Sequence, residues 1–461
     1  MLEKDAPSPS SLFDRLTLAA AAQLVAWPCL FLSCVLLAEP IVSNLFARDG
    51  VTLEEGVRLL LERVRLASGI AGLVLLAAAY HSRRLQSRRL SLRRGDVVLA
   101  LAAAVVFLLL GEAALRVHGW LSWGSLLSTP LPYSAMRGAG EVYLRPGVYG
   151  LEIGNDYQPV RPSHATISIN RYGLRGPLPQ MPKPPGRTRI VCLGGSSTFG
   201  FVGEGQDYPS RLNALLAARG DFDVLNAGRP GSTTWSDLRY LRDRLLPLSP
   251  DVLLVYEGFN DMWRGVRRHA GEQDDYGIAD ERLPAVEEPL DLGTPRTWSP
   301  RLLFAAFHVG RGLESRFPTA KKRFSAPPAG QVFRFDPAIV SIYERNLAAI
   351  VRLGRSRGLR VALATFAACD DPSRPEAEQR LRLKYVIDQV PPLDVHSGQE
   401  GMDLYRQVTR KVALAEGVPL LDLARLMPKD LKFYSDTIHL TEEGEETLAT
   451  LLASELEREL L

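Results

Sequence analysis

Arg189-Ile190-Val191-Cys192-Leu193-Gly194-Gly195-Ser196-Ser197-Thr198 is the stretch from which the fold is read. Its apolar run ends in a glycine pair and three hydroxyl residues, the pattern of a buried strand running into a tight turn. Further apolar runs follow at 224–225, 252–255, 359–364 and 420–423. Helical patterns intervene around 208–218, 236–247, 338–357 and 400–416, and a last one covers 441–460. Strands alternating with helices specify an α/β fold, a parallel sheet with helices on both faces. Ligand sites in such sheets form beyond the carboxyl ends of the strands.

Four short segments fall at those ends. Gly194-Gly195-Ser196-Ser197-Thr198 follows the first strand, Asn226-Ala227-Gly228-Arg229-Pro230-Gly231 the second and Gly258-Phe259-Asn260-Asp261 the third. Asp436-Thr437-Ile438-His439 comes after the fifth. Taken singly, a glycine turn, a helix-capping Asn-Asp pair and a lone histidine are ordinary structural features. In register with one sheet, they supply every part of an acyl-transfer site. A serine hydroxyl is a weak nucleophile until a base takes its proton. His439 can be that base for Ser196, and Asp436, three residues earlier, can hold the imidazole Nδ1–H and stabilise the imidazolium. The N–H groups of Ser196 and Gly231 and the side-chain amide of Asn260 are three candidate donors to an oxyanion. Ser197 stands beside Ser196 as an alternative nucleophile.

Spacing excludes two rival chemistries. An α/β-hydrolase elbow needs Gly-x-Ser-x-Gly, whereas Thr198 stands where the second glycine would be. A P-loop needs Gly-Lys-Ser/Thr after its glycines, and none follows. The four blocks, in this order, resemble the SGNH (GDSL-type) hydrolase superfamily over about 189–460, with Leu440, Thr441 and Gly444 extending the last of them. That resemblance implies a flavodoxin-like three-layer parallel sheet. It also implies Ser196 as nucleophile, Gly231 and Asn260 as oxyanion donors, Asp436 and His439 completing the triad, and no metal or organic cofactor. One departure is visible: the usual Gly-Asp-Ser reads Gly194-Gly195-Ser196 here.

Outward from this region the composition changes. Of 55 Lys+Arg and 52 Asp+Glu in 461 residues, 13 and 10 fall in residues 1–120, leaving the remainder balanced at 42 each. With 46% hydrophobic and 23% charged residues, the chain is neither disordered nor a disulfide scaffold. A net charge of +3 gives no reason to expect a nucleic-acid partner. The first quarter reads instead as membrane-embedded. Leu16 to Ala38 is a 23-residue uncharged run, Leu66 to Tyr80 a 15-residue one, and Val97 to Leu110 a 14-residue one. The first outruns a signal-peptide core and lacks a small-residue cleavage site. Arg83, Arg84, Arg88, Arg89, Arg93 and Arg94 lie between the second and third runs. The positive-inside rule puts that loop in the cytoplasm and, with three spans, everything after about residue 117 outside.

The expected organisation is therefore a membrane anchor at 1–117, a lead-in or stalk with short strands at 118–188, and a hydrolase-type domain at 189–461. Thr166-Ile167-Ser168-Ile169 alternates like a strand before a turn at Asn170-Arg171-Tyr172-Gly173. Residues 262–335, with eight acids between 272 and 291, read as a long insertion that shapes the substrate site or forms a surface excursion. Cys29, Cys34, Cys192 and Cys369 lack metal-ligand spacing and read as structural thiols. His396 sits in a polar loop that either lines the pocket or faces solvent. The substrate expectation is a small-molecule, glycan or lipid ester. Hydrolysis is the first reading, O-acyl transfer to a surface polysaccharide the second, and a non-catalytic glycan-binding scaffold the third.

Overall fold

The computed structural model describes Glu112, residues 131–132, Met136, and residues 143–158, 163–269, 333–389 and 393–459. The three expected membrane spans and most of the expected insertion lie outside the described residues. Among the described residues, no helix is long and apolar enough to cross a membrane.

Two sheets organise the described chain. Strands β1 (Leu131–Pro132), β2 (Gly147–Ile153) and β3 (Ser163–Ile169) form the smaller, with β2 and β3 antiparallel. Asn170 turns the chain out of β3: its Oδ1 accepts the Tyr172 N–H at 3.0 Å, and its carbonyl accepts the Gly173 N–H at 2.9 Å, so the expected turn is present.

From here strands and short helices alternate. Strand β4 (Thr188–Gly194) leads into helix α1 (Ser196–Phe199), helix α2 (Tyr208–Ala217), strand β5 (Phe222–Gly228) and helix α3 (Thr234–Tyr240). Strand β6 (Val252–Tyr256) follows, then helix α4 (Phe259–His269), helix α5 (Pro337–Ser356) and strand β7 (Arg360–Ala364). Helices α6 (Glu376–Arg382), α7 (Lys384–Gln389) and α8 (Val395–Glu416) precede strand β8 (Leu420–Leu421), helix α9 (Leu423–Leu426) and helix α10 (Glu442–Glu459). The larger sheet runs β5-β4-β6-β7-β8, every pairing parallel. This is the doubly wound order in which the chain starts in the sheet, moves one way and then reverses. Right-handed crossovers in opposite directions put successive helices on opposite faces. Accordingly α2 packs with α10, and α5 with α3, α4 and α8.

The core follows from the apolar runs. Ile190, Val191, Cys192 and Leu193 of β4 are 0% exposed, as a strand covered on both faces requires. Helix ends carry local signals too. Asp207 caps α2 by accepting the Ser210 N–H, and Asp394 with Ser397 forms a reciprocal capping box on α8. Helix α4 continues through 262–269, residues expected to begin the insertion.

Arg175, before β4 in the chain, is buried against the larger sheet. Its backbone N–H donates to the Asn226 carbonyl of β5 at 3.1 Å, an antiparallel bridge onto the edge of the large sheet. Its guanidinium donates to the carbonyls of Phe199 (2.6 Å), Gly200, Val202 (2.8 Å) and Gly203 (2.8 Å), and pairs with Asp207 at 3.3 Å. One lead-in side chain therefore fixes the loop that leaves the Ser196 helix. Alongside it, Glu445 of α10 accepts the Tyr208 N–H at 2.8 Å. Burial, then the negative charge of Asp207, push this carboxyl up to about 8. A carboxyl raised in the folded state holds its full stabilising contribution below its unfolded value of 4.5 and loses it as pH rises through about 8. Glu445→Gln cannot ionise. In thermal melts between pH 5 and pH 8, the wild type is expected to lose ground steadily against this variant; a constant gap would contradict a neutral Glu445.

Candidate active site

Parallel register brings three strand ends to one level: Gly194 of β4 pairs with Gly228 of β5 on one side and with Tyr256 of β6 on the other. Each strand then releases its turn. Ser196 starts α1, Gly231 lies in the β5–α3 turn at φ 74°, and Asn260 is the second residue of α4. A left-handed residue there favours glycine, which lets the turn reverse without strain. The turns are tied to β4 directly, because Arg229 N–H donates to the Gly194 carbonyl at 2.9 Å. Asn260 reaches the residue before Ser196: a Cβ built on Gly195 would stand 2.5 Å from its Nδ2.

Asp436 and His439 arrive from the far end of the chain, in a turn closed by a Tyr434–Leu440 bridge. His439 Nε2 lies 2.8 Å from Ser196 Oγ, and its Nδ1 lies 2.6 Å from Asp436 Oδ2. Asp436 Oδ1 also accepts the N–H groups of Ile438 and His439, both at 2.9 Å. Burial alone would raise this carboxyl; the charge and hydrogen bonds of His439, helped by these N–H groups, outweigh it and hold Asp436 below its ordinary value. An ionised Asp436 favours the tautomer with its proton on Nδ1, leaving Nε2 to accept from Ser196. Ser197, the alternative nucleophile, faces elsewhere, its hydroxyl 3.4 Å from the Ile438 carbonyl. His396 is exposed on the first turn of α8 and does not line the cavity beside His439. Cys192 and Cys369 are buried free thiols.

Several residues at this site were not singled out from sequence. Phe201 and Tyr385 set their rings edge-on to the imidazole, with centroids 4.8 and 5.3 Å away. Asp156 comes from the lead-in, its N–H donating to the Ser435 carbonyl at 2.7 Å. Together with Lys384, Asp388, Ser435, Asp436 and His439, these residues line a cavity of about 460 Å³. Burial raises Asp156, with Lys384 opposing and Asp436 adding to the rise. Among the described residues, no group of His, Cys, Asp and Glu is arranged to hold a metal ion. The site can therefore shuttle a proton between a serine and a carboxylate-held imidazole beside a cavity with charged walls.

Residues 192–447 match the model of the GDSL-like lipase/acylhydrolase family, over half of the chain. The chain belongs to this family and is a hydrolase. Similar solved structures include a lipase/acylhydrolase from Enterococcus faecalis, at 18% identity and TM-score 0.34, covering 59% of this chain and 96% of that one. A variant of an acetyl xylan esterase from Geobacillus stearothermophilus shares 16% identity at TM-score 0.34, with 59% and 96% covered. A GDSL-like lipase from Bacteroides thetaiotaomicron shares 14% at TM-score 0.32, with 59% and 88% covered. No curated protein matches the sequence.

Gly444 accounts for the tail of the last sequence block. A Cβ there would meet the Phe433 carbonyl oxygen at 2.1 Å, so α10 can close on the turn bearing Asp436 and His439 only if this residue has no side chain. Gly444→Ala is expected to cost about 1–3 kcal/mol of stability. It should lower ester hydrolysis by up to roughly 100-fold, the effect of a 1 Å misplacement. A melting curve and a hydrolysis assay on the same preparation check both.

Proposed function

We propose that the protein is a serine esterase that cleaves ester-linked acyl groups through Ser196, His439 and Asp436. The continuous contact from Asp436 Oδ2 through His439 to Ser196 Oγ carries this reading. Ser196 Oγ attacks the ester carbonyl carbon while His439 Nε2 takes the hydroxyl proton. The tetrahedral oxyanion is received by the N–H groups of Ser196 and Gly231 and by the Asn260 amide. Collapse breaks the bond to the alcohol, which leaves with the proton held by His439, and Ser196 keeps the acyl group. Water, deprotonated by His439, then attacks the acyl-enzyme, and His439 returns the proton to Ser196 Oγ as the bond to the acyl carbon breaks and the carboxylic acid leaves. Each oxyanion donor is worth about 2.7–4 kcal/mol of transition-state stabilisation.

The expected N-terminal spans and their arginine loop support a membrane-anchored enzyme with everything after about residue 117 outside the cytoplasm, and the 42-to-42 charge balance of residues 121–461 suits an outer part that is not itself drawn to anionic lipid. On this reading, residues 1–117 are the anchor, 118–188 the lead-in and 189–461 the hydrolase-type domain. The cavity favours a polar carrier for the acyl group. Asp156, Lys384 and Asp388 offer both signs of charge to hydroxyls, while Ile153, Phe201 and Tyr385 supply the apolar lining. A hydroxyl-rich wall partner fits a glycan ester better than a long-chain lipid ester. The same wall favours a second reading, in which a sugar hydroxyl replaces water and the enzyme is an O-acyltransferase.

Ser196→Ala is expected to abolish hydrolysis of p-nitrophenyl acetate and labelling by a fluorophosphonate probe; turnover at the wild-type rate would refute the assignment. Asp156→Ala should raise KM for an acetylated oligosaccharide while leaving p-nitrophenyl acetate turnover near the wild-type value. Equal effects on both substrates would remove Asp156 from carrier recognition. Product analysis with an added glycan separates the two readings: free acetate marks the esterase, acetylated acceptor the transferase.

A further inference from the structure

Glu257 lies at the carboxyl end of β6, buried, with no part in the proton transfers above. Its carboxyl touches the turns of Gly231 and Asn260 and stands beside the turn of Ser196. Oε1 lies 3.0 Å from the Ser232 hydroxyl, in the turn of Gly231. Oε2 accepts the Gly258 N–H at 3.1 Å, two residues before Asn260. A Cβ built on Gly195, beside Ser196, would meet Oε1 at 3.1 Å. The departure from Gly-Asp-Ser thus has a structural counterpart. With glycine at 195, the carboxyl of Glu257 occupies the space next to Ser196 that a longer side chain would claim.

We propose that Glu257 is a positioning residue that sets the oxyanion donors relative to Ser196 by bridging Ser232 and Gly258. This rests on the triad and donors proposed above. Ser232 has one hydroxyl proton and two neighbours that look like acceptors, Glu257 Oε1 and the Gly194 carbonyl oxygen at 3.1 Å. A protonated Glu257 resolves the conflict. It donates to Ser232 Oγ, Ser232 donates to Gly194, and the unprotonated oxygen still accepts from Gly258. Burial, then the negative charges of Asp237 and Asp261 and a hydrogen bond with the Asp237 carboxyl, push Glu257 well above the usual carboxyl range, in agreement with the neutral form. Asp237 is itself paired with the buried Arg229, and Asp261 accepts the hydroxyl and N–H of Thr234, so both negative charges are fixed in place.

A neutral bridge makes an uneven set of demands on substitution. Glutamine satisfies them, with its carbonyl accepting from Gly258 and its amide N–H donating to Ser232. Leucine has similar bulk and satisfies neither. With p-nitrophenyl acetate, Glu257→Gln is expected to keep kcat within about threefold of wild type. Glu257→Leu should lower kcat by roughly 10- to 100-fold with KM within about twofold, approaching the loss of one oxyanion donor. Ser232→Ala, which breaks the same bridge from the other side, should lower kcat by about tenfold with KM unchanged; it decides the matter if Glu257→Leu fails to melt cooperatively. The proposal is overturned if Ser232→Ala and a folded Glu257→Leu retain wild-type kcat, or if Glu257→Gln falls as far as leucine. Ser196→Ala, assayed in parallel, separates the two levels. Activity lost there but unchanged at positions 257 and 232 overturns the positioning role alone, whereas activity retained in Ser196→Ala overturns both.

Discussion

The parallel register of β4 with both its neighbours is the constraint from which the site is built. Buried backbone N–H and C=O groups must be paired, and β4 meets this requirement along both edges at once. Shifting β5 or β6 by one residue would turn its side chains to the opposite face and put its exit turn at a different height from Gly194. As the strands stand, the turns bearing Ser196, Gly231 and Asn260 leave the sheet together, and Arg229 and Ser232 hydrogen-bond back to Gly194. The far end of the chain contributes the Asp436–His439 turn to the proposed triad, and it meets these strand ends at Ser196.

Charge inside the domain is handled consistently. Arg175 spends its donors on four loop carbonyls and Asp207, Arg229 pairs with Asp237 beneath the Tyr240 ring, and Arg406 grips Asp370 with two nitrogens at 2.7 and 2.8 Å. Burial alone would raise Asp370, but the hydrogen bonds and charge of Arg406 hold it down to about 2. Buried pairs of this kind add little net stability over an apolar replacement, and they are costly to break from one side. Their placement suits geometry more than stability: Arg175 holds the exit of the Ser196 helix, and Arg229 and Asp237 stand beside the turn of Gly231. Glu257 and Glu445, raised by burial, do the same work as neutral hydrogen-bonding groups.

Much of this was legible in the sequence because the deciding signals are local. Continuous apolar runs marked β4, β6 and β7 to within two residues, and the apolar periodicity of α5 and α10 marked those helices about as closely. The blocks at the strand ends carried the site, since a strand end fixes where its turn must be. What escaped depends on partners far away in the chain. Helices α6 and α7 are short, and the charged run from Glu376 to Arg382 shows no apolar stripe, so Tyr385 gave no sign that it would flank His439. Strand β2 is held by its pairing with β3, and Asp156 is brought to the cavity by its own bond to the Ser435 carbonyl and by Tyr157, which anchors the loop to the Arg382 carbonyl and Cys369. Glu257 offered one overlooked clue, an acid at the end of five buried apolar residues, where an unpartnered charge would be too costly to keep.

The contact between His439 and Ser196 spans 243 residues of chain. During synthesis at about 5–20 residues per second, the later partner emerges roughly 10–50 s after the earlier one. For that interval the Ser196 hydroxyl has no His439 beside it to take its proton. On the proposed chemistry, the serine meets its base only when nearly the whole domain has been made.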